Sequence, residues 1–341
     1  MKRKEQRQLW LADYFKGTEF KSEAASEDAS FRSYYRVTTD TGTDTNTFIL
    51  MDAPPKHEDC RSFVAVLQLL SANQVNVPEL FATDFDNGFL LLGDFGDQLY
   101  LATLDQSADS HEPLYQAAID TMLNMQSITA AETQLPPYDD KLLMTEMQLF
   151  TDWFIDNHLG LKLDAAELAI LNQAFVLLSD NALQQPQVMV HRDYHSRNLM
   201  VVAETQRNNQ SPGVIDFQDA VYGPFTYDLA SLLKDCYISW PVETVEQHCQ
   251  YFLNNYNRLF DASIGLPQLI RWFELMAAQR HLKAIGIFCR LNYRDRKAGY
   301  LNDIPRTMNY LLATAAKYPE LAAFSELLQA IQPVLPNTSI Q

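Results

Sequence analysis

The spacing of apolar positions changes character near residue 98. Before it, Phe31-Arg32-Ser33-Tyr34-Tyr35-Arg36-Val37 is rich in β-formers and Thr47-Phe48-Ile49-Leu50-Met51 is a second apolar run. Asp40 to Asp44 supplies turn chemistry between them, which predicts a hairpin. Arg61 to Ala72 is apolar at 63, 64, 66, 67, 69 and 70, the spacing of a well-buried helix of about three turns. Val77–Phe81 and Phe89–Leu92 flank Asp86-Asn87-Gly88, and Asn-Gly between apolar runs is a strong hairpin signal. These elements predict a small sheet with one helix against it.

Beyond residue 98 helical periodicity takes over. Glu112–Ile128, Asp140–Leu159 and Ala165–Leu183 carry it, with Asp140 and Asp164 as caps. Val188–Val190, Leu199–Val202 and Val214-Ile215 are too short for helices and read as strands, the last two joined by the polar run Glu204 to Pro212. Helices return over 226–238, 242–259, 267–290, 303–316 and 319–332. Gly93-Asp94-Phe95-Gly96-Asp97 has the glycines of a hinge, which predicts an N-terminal lobe over 1–97 and a C-terminal lobe over 98–341. A length of 341 residues suits two such lobes.

Composition narrows the partners. Apolar residues make up 47%, with 19 Phe and 16 Tyr, enough for a sizeable core. Lys and Arg number 26 against 43 Asp and Glu, a net charge of −17. That balance argues against nucleic acid and against an anionic membrane surface as partners. It also demands that an anionic substrate be met by cations gathered in one place. Glu5 to Leu11 supplies no apolar core for a signal peptide, and no stretch approaches 18 uninterrupted apolar residues. The cysteines at 60, 236, 249 and 289 show neither CxxC pairing nor metal spacing. Reduced cysteines in a cytoplasmic protein are the expectation.

The informative stretch is His191-Arg192-Asp193-Tyr194-His195-Ser196-Arg197-Asn198, with Asp216 following 18 residues after Asn198. Taken singly, Asp and Asn in a hairpin cap turns. Together they form a phosphoryl-transfer set: one carboxylate takes a proton from a hydroxyl, and two oxygen ligands hold Mg²⁺ on nucleotide phosphates. Asp193 is the candidate base, and Asn198 and Asp216 are the candidate metal ligands.

HRDxxxxN with the later Ile215-Asp216-Phe217 resembles the catalytic and metal loops of the protein-kinase-like superfamily. Asp228-Leu229-Ala230 after Gly223-Pro224 makes the chain similar to the aminoglycoside phosphotransferase family, whose members phosphorylate small-molecule hydroxyls. Ser30 to Arg36, Met51-Asp52-Ala53-Pro54-Pro55, His191 to Met200 and Gln279 to Phe288 look like the branch acting on the anomeric hydroxyl of N-acetylmuramate and N-acetylglucosamine in cell-wall recycling. The resemblance runs from about residue 10 to 332. It implies a bilobal α+β fold with a small antiparallel-sheet N-lobe and a mainly helical C-lobe. It also implies ATP and Mg²⁺ as cofactors, and Asp228 bracing the catalytic loop.

Two motifs mislead. Asp94-Phe95-Gly96 spells the kinase metal motif but lies 99 residues before Asp193, whereas a metal Asp follows the catalytic loop. It reads instead as a hinge whose Asp94 region could meet the adenine. His191 and His195 have zinc-pair spacing, but Arg192 replaces the Glu of HExxH and the segment follows a strand.

The departures from the kinase pattern bear on where the phosphates are met. Ala24 to Ser30 stands where a glycine-rich loop is expected. Leu50 or Met51 takes the place of the strand lysine, and the helix over 61–72 lacks its Glu partner. Other cations must therefore meet the phosphates. Arg32 and Arg36 share a strand face with Tyr34, though an exposed edge explains them equally. Arg197, read as catalytic together with Asp193, and His195, read as nucleotide-binding, are placed at the phosphates by their position in the loop; Ser30 is the remaining nucleotide-side candidate. Arg290, Arg294, Arg296 and Lys297 form a basic cluster that either complements a helix C-terminus or takes the lactyl carboxylate of the sugar. Arg280, His281 and Lys283 read equally as packing residues. Another hydroxyl acceptor (an aminoglycoside, choline, homoserine or a different sugar) remains open, as does a nucleotide-binding pseudokinase.

Overall fold

The computed structural model describes residues 2–27, 31–40, 45–106, 111–202 and 212–331. The turn at 41–44, Ser30 with its neighbours 28 and 29, and most of the 204–212 connection lie outside them. The chain divides into two compact units, Met1–Gln98 with Met200–Gln218, and Leu99–Leu199 with Asp219–Gln341. The sequence reading keeps 200–218 with the residues around it. Local bonds join that stretch to the first unit: Val201 N–H donates to the Gln98 carbonyl at 2.8 Å and Val214 N–H to the Asn76 carbonyl at 2.8 Å.

The first unit carries a five-stranded antiparallel sheet, β1 (Phe20–Glu27), β2 (Ser33–Asp40), β3 (Thr45–Asp52), β4 (Leu80–Asp84) and β5 (Phe89–Gly93), in the order β1-β2-β3-β5-β4. The β2–β3 hairpin is in register, with Asp40 opposite Thr45 and Tyr34 opposite Met51. β1, which the sequence reading leaves as a loop, pairs with β2 through a bulge between Ala24 and Ser26. A helix the periodicity does not announce, α1 (Arg3–Phe15), lays Leu11 on a core of Val37, Leu50, Phe89 and Leu91. Its charged first turns find their partner only in the fold. Arg3 and Arg7 both bind Asp52, at 2.7 and 2.9 Å, where β3 ends. The helix α2 (Cys60–Ala72) is capped by Asp59 and buries Phe63, Val64, Val66, Leu67 and Leu70. The Asn-Gly turn is tight at Gly88, φ +68°, where a Cβ would lie 1.9 Å from the Ala53 carbonyl oxygen.

The second unit is mainly helical. It comprises α3 (Tyr100–Gln106), α4 (His111–Gln126), α5 (Asp140–Leu149), α6 (Ala165–Leu183), α7 (Tyr227–Leu233), α8 (Val242–Phe260), α9 (Leu266–Asp295), α10 (Ile304–Lys317) and α11 (Ala322–Ile331). Among its described residues β6 (Gln187–Val190) pairs with β9 (Val221–Pro224), a strand the apolar pattern leaves unread. The short strands β7 (Leu199–Met200) and β8 (Gly213–Val214) lie at the ends of the 203–211 stretch. The periodicity of Asp140–Leu159 is split: α5 runs on as a π-helix, Phe150–His158.

α9 is the axis of this unit, with buried residues from Leu269 to Leu291. It packs against α5, the π-helix, α6, α7 and α10. Gly286 lets α9 and α5 come close, for a Cβ there would stand 2.4 Å from the Leu149 carbonyl carbon, at the point where α5 becomes the π-helix. Backbone cannot yield as a flexible side chain can. Gly286→Ala is therefore expected to destabilise the protein by about 1–3 kcal/mol, as overpacking does. Urea unfolding monitored by fluorescence checks this.

Candidate functional site

His191 to Asn198 follows β6 as an irregular loop whose backbone is held from below. Asp228, on α7 and 1% exposed, accepts the His191 N–H at 2.7 Å and the Arg192 N–H at 3.1 Å. Arg192 sits at φ +77°, the left-handed region that disfavours a residue with a side chain. Two bonds to one buried carboxylate, with a third group on the arginine side chain, hold it there. Burial, reinforced by the Asp193 charge, pushes the Asp228 carboxyl up to about 7 against the pull of those two N–H groups.

The Arg192 guanidinium reaches Glu146 of α5 and the Asp219 carbonyl, the latter at 3.2 Å. Glu146 is 5% exposed and also accepts from the Tyr138 hydroxyl. Lys283 Nζ of α9 lies 3.3 Å from it and 3.1 Å from the Tyr227 hydroxyl. Desolvation would raise the Glu146 carboxyl, but Lys283 and Arg192 outweigh it and the net direction is down.

Asp193 is half-buried at the centre of these charges. Desolvation opposes its ionisation, yet Lys283 first, then His195, Arg280 and Arg192, bring its carboxyl down to about 2. It is a carboxylate at any working pH. Its own backbone carbonyl accepts the Asn198 Nδ2–H at 3.0 Å, which orients the Asn198 amide. His195, 8% exposed, is kept neutral at pH 7 because burial lowers its pKa from 6.5. Its Nδ1 is a buried nitrogen without a hydrogen-bond partner among the described residues. Asp235 fixes the far end of the loop, accepting the Ser196 N–H at 3.0 Å and its hydroxyl at 2.6 Å.

In the first unit, Asp216 has φ +65°, and Gln218 Nε2 donates to its Oδ1 at 3.0 Å. The Asp216 carboxylate oxygens are hard donors of the kind Mg²⁺ takes, as is the amide oxygen of Asn198 in the second unit, each taken by itself. Leu50 and Met51, where a strand lysine is expected, are fully buried. Arg32 is paired with Glu58 at 2.9 Å. Arg36 is committed to Asp94, at 2.6 and 3.1 Å, and to Asp97. Asp94 also accepts the Gly96 N–H at 2.8 Å, so Asp94-Phe95-Gly96 is a turn locked by an arginine. Lys21, Glu23, Ala24, Ala25, Arg36 and Thr38 line a depression on the sheet.

The C-terminal basic cluster is dispersed. Arg294 forks onto its neighbour Asp295 at 2.9 Å, and Arg296 is the left-handed cap that ends α9. Arg290 is half-buried, its guanidinium pulled down by burial and by Arg294. Glu146 and Asp235 escaped the sequence reading because nothing near them in the chain marks them. Each acts on a loop about 40–50 residues away along the chain.

The fold and the loop together define a phosphotransferase. The family model described as "Phosphotransferase enzyme family" matches residues 21–260, and the chain belongs to that family. The N-acetylmuramate/N-acetylglucosamine kinase of Pseudomonas putida is 44% identical over 315 residues, 91% of this chain and 88% of that protein. The protein of the same name from Pseudomonas aeruginosa is 44% identical over 312 residues, 90% of this chain and 87% of its own. Among solved structures, a choline/ethanolamine kinase family protein from Mesorhizobium loti superposes with a TM-score of 0.62 at 10% identity, over 96% of this chain and 100% of that one. At that identity the likeness speaks to fold alone, which is the protein-kinase-like fold of aminoglycoside phosphotransferases.

Proposed function

We propose that this chain transfers the γ-phosphoryl group of ATP to the anomeric hydroxyl of N-acetylmuramate or N-acetylglucosamine, giving the sugar 1-phosphate. The observation that carries the reaction type is the loop itself, in which Asp193 sits between ends anchored by Asp228, through the His191 and Arg192 N–H groups, and by Asp235, through Ser196. The name shared by the relatives supports the acceptor. Asp193 accepts a hydrogen bond from the sugar hydroxyl and takes its proton as the new P–O bond forms and the bond from the γ-phosphorus to the β–γ bridging oxygen breaks, releasing ADP. Asn198 and Asp216 would hold Mg²⁺, which neutralises charge on the phosphates when bound. The small side chains Ala24 and Ala25 leave room for a nucleotide along the sheet, with Lys21 as the cation there, since Arg36 is held by Asp94 and Asp97 and Glu23 is acidic. With ATP as donor, the reaction belongs to the cytoplasm and to recycling of cell-wall sugars. No described helix is long and apolar enough to cross a membrane.

An ATP-consumption assay with N-acetylmuramate, run with and without Mg²⁺, tests the reading, with mass detection of the product. Mg²⁺-dependent turnover yielding a singly phosphorylated sugar is expected. Turnover only with choline or an aminoglycoside would transfer the chain to another acceptor. ATP binding without turnover of any acceptor would make it a nucleotide-binding module.

A further inference from the structure

Arg197 stands one residue before Asn198, and its neighbours are two tyrosine rings. Its guanidinium lies 3.7 Å over the Tyr237 ring and 6.0 Å from the Tyr300 ring. Its charge is felt by the Asp303 carboxylate, which Arg306 also approaches, and its ring contacts are with the two tyrosines. The frame around it is fixed. Asp235 accepts the Tyr237 N–H at 2.9 Å while its other oxygen holds Ser196, so one buried carboxylate ties the catalytic loop to the segment after α7. Tyr300 belongs to the 3₁₀ segment Ala298–Asp303, which buries no residue, and stacks on Phe288 at 5.8 Å. A second cation flanks the frame: Arg306 donates to the Cys236 carbonyl at 2.8 Å and lies 3.6 Å from Asp303, with its side chain 39% exposed.

A guanidinium over an aromatic face is held in orientation by the ring and presents its N–H edge to whatever comes beside it. Planar carboxylate recognition requires that edge. Every residue of the frame belongs to the helical unit, and the tyrosine rings give apolar surface of the kind a pyranose C–H face packs against. We propose that Arg197, framed by Tyr237 and Tyr300 and flanked by Arg306, binds an acidic substituent of the acceptor sugar, the lactyl carboxylate in N-acetylmuramate. This inference rests on the proposed function. It moves Arg197 from the nucleotide to the acceptor and displaces Arg290, Arg294 and Arg296 from the carboxylate.

The test is kinetic. Arg197→Gln is expected to lower kcat/KM for N-acetylmuramate at least tenfold more than for N-acetylglucosamine, which lacks the carboxylate, with KM for ATP within about twofold of wild type. Arg306→Gln, at a half-exposed position, should shift the same ratio in the same direction and covers the event that Arg197→Gln does not fold. A rise in KM for ATP with equal losses on both sugars would return Arg197 to the phosphates and overturn the proposal. So would a larger fall of the ratio in Arg294→Gln than in Arg306→Gln. If wild type phosphorylates neither sugar, the proposed function fails and takes this inference with it. If wild type uses both and neither variant shifts the ratio, only the inference fails.

Discussion

Replacing Asp193 by Asn is expected to lower kcat by about 10²–10⁴-fold while leaving ATP affinity near wild type. Asn keeps the volume and can still accept a hydrogen bond, but it cannot take the proton of the attacking hydroxyl. The loop does not depend on the Asp193 carboxylate for its shape. Asp228 and Asp235 hold it through backbone and Ser196 bonds, and Asn198 bonds the Asp193 main-chain carbonyl. Steady-state kinetics with titration of ATP by calorimetry separates the two effects. The pH profile supplies an independent check. The folded carboxyl, at about 2, lies below its ordinary value of 3.8. Asp193 therefore stays ionised over the working range, and it is expected to add no acid limb to kcat/KM above about pH 4. Turnover by Asp193→Asn at the wild-type rate would remove the base assignment.

Glu146→Ala is expected to destabilise the protein by about 3–5 kcal/mol, the effect of removing one partner from a buried ion pair. Two cations are stranded at once. Arg192 is 18% exposed and Lys283 only 9%, and Glu146 is the carboxylate in ion-pair contact with both, while Asp193 acts on them from farther off. The Tyr138 hydroxyl loses its acceptor in the same step. The sign of the pH dependence follows from the direction of the shift. The Glu146 carboxyl is depressed in the folded state, so its contribution is present above the ordinary glutamate range. It is lost as pH falls through the folded value. The difference between variant and wild type should therefore be large at neutral pH and shrink in acid, as urea unfolding at several pH values would show. A variant with wild-type stability at pH 7 would mean that water already compensates the pair. Because Arg192 precedes Asp193, the variant should also lose turnover.

The fold was legible where signals are local. Ala165–Leu183 begins at its Asp164–Glu167 capping box, the Asn-Gly turn closes at Gly88, and the buried stripe of α2 has the spacing read from the chain. α1 was not legible, because its first turns are charged and make sense only once Asp52 receives Arg3 and Arg7. β9 is short, and its Gly-Pro end reads as a turn until it pairs with β6. The π-helix after α5 shares the apolar periodicity of an α-helix, and only the close approach of Gly286 distinguishes the place where the winding changes.

Sequence alone determined the residues of the loop itself. Asp193, His195, Arg197 and Asn198 lie within six consecutive positions, and spacing along an irregular loop survives any arrangement of the rest. Tertiary structure decided which charges remain available. A net charge of −17 could not reveal that Arg36 is bound by Asp94 and Asp97 and Arg294 by Asp295, or that Lys283 comes beside the loop from 90 residues downstream of Asp193. The physical reason is that Coulomb energy depends on distance and burial, and neither quantity is written in the order of the residues.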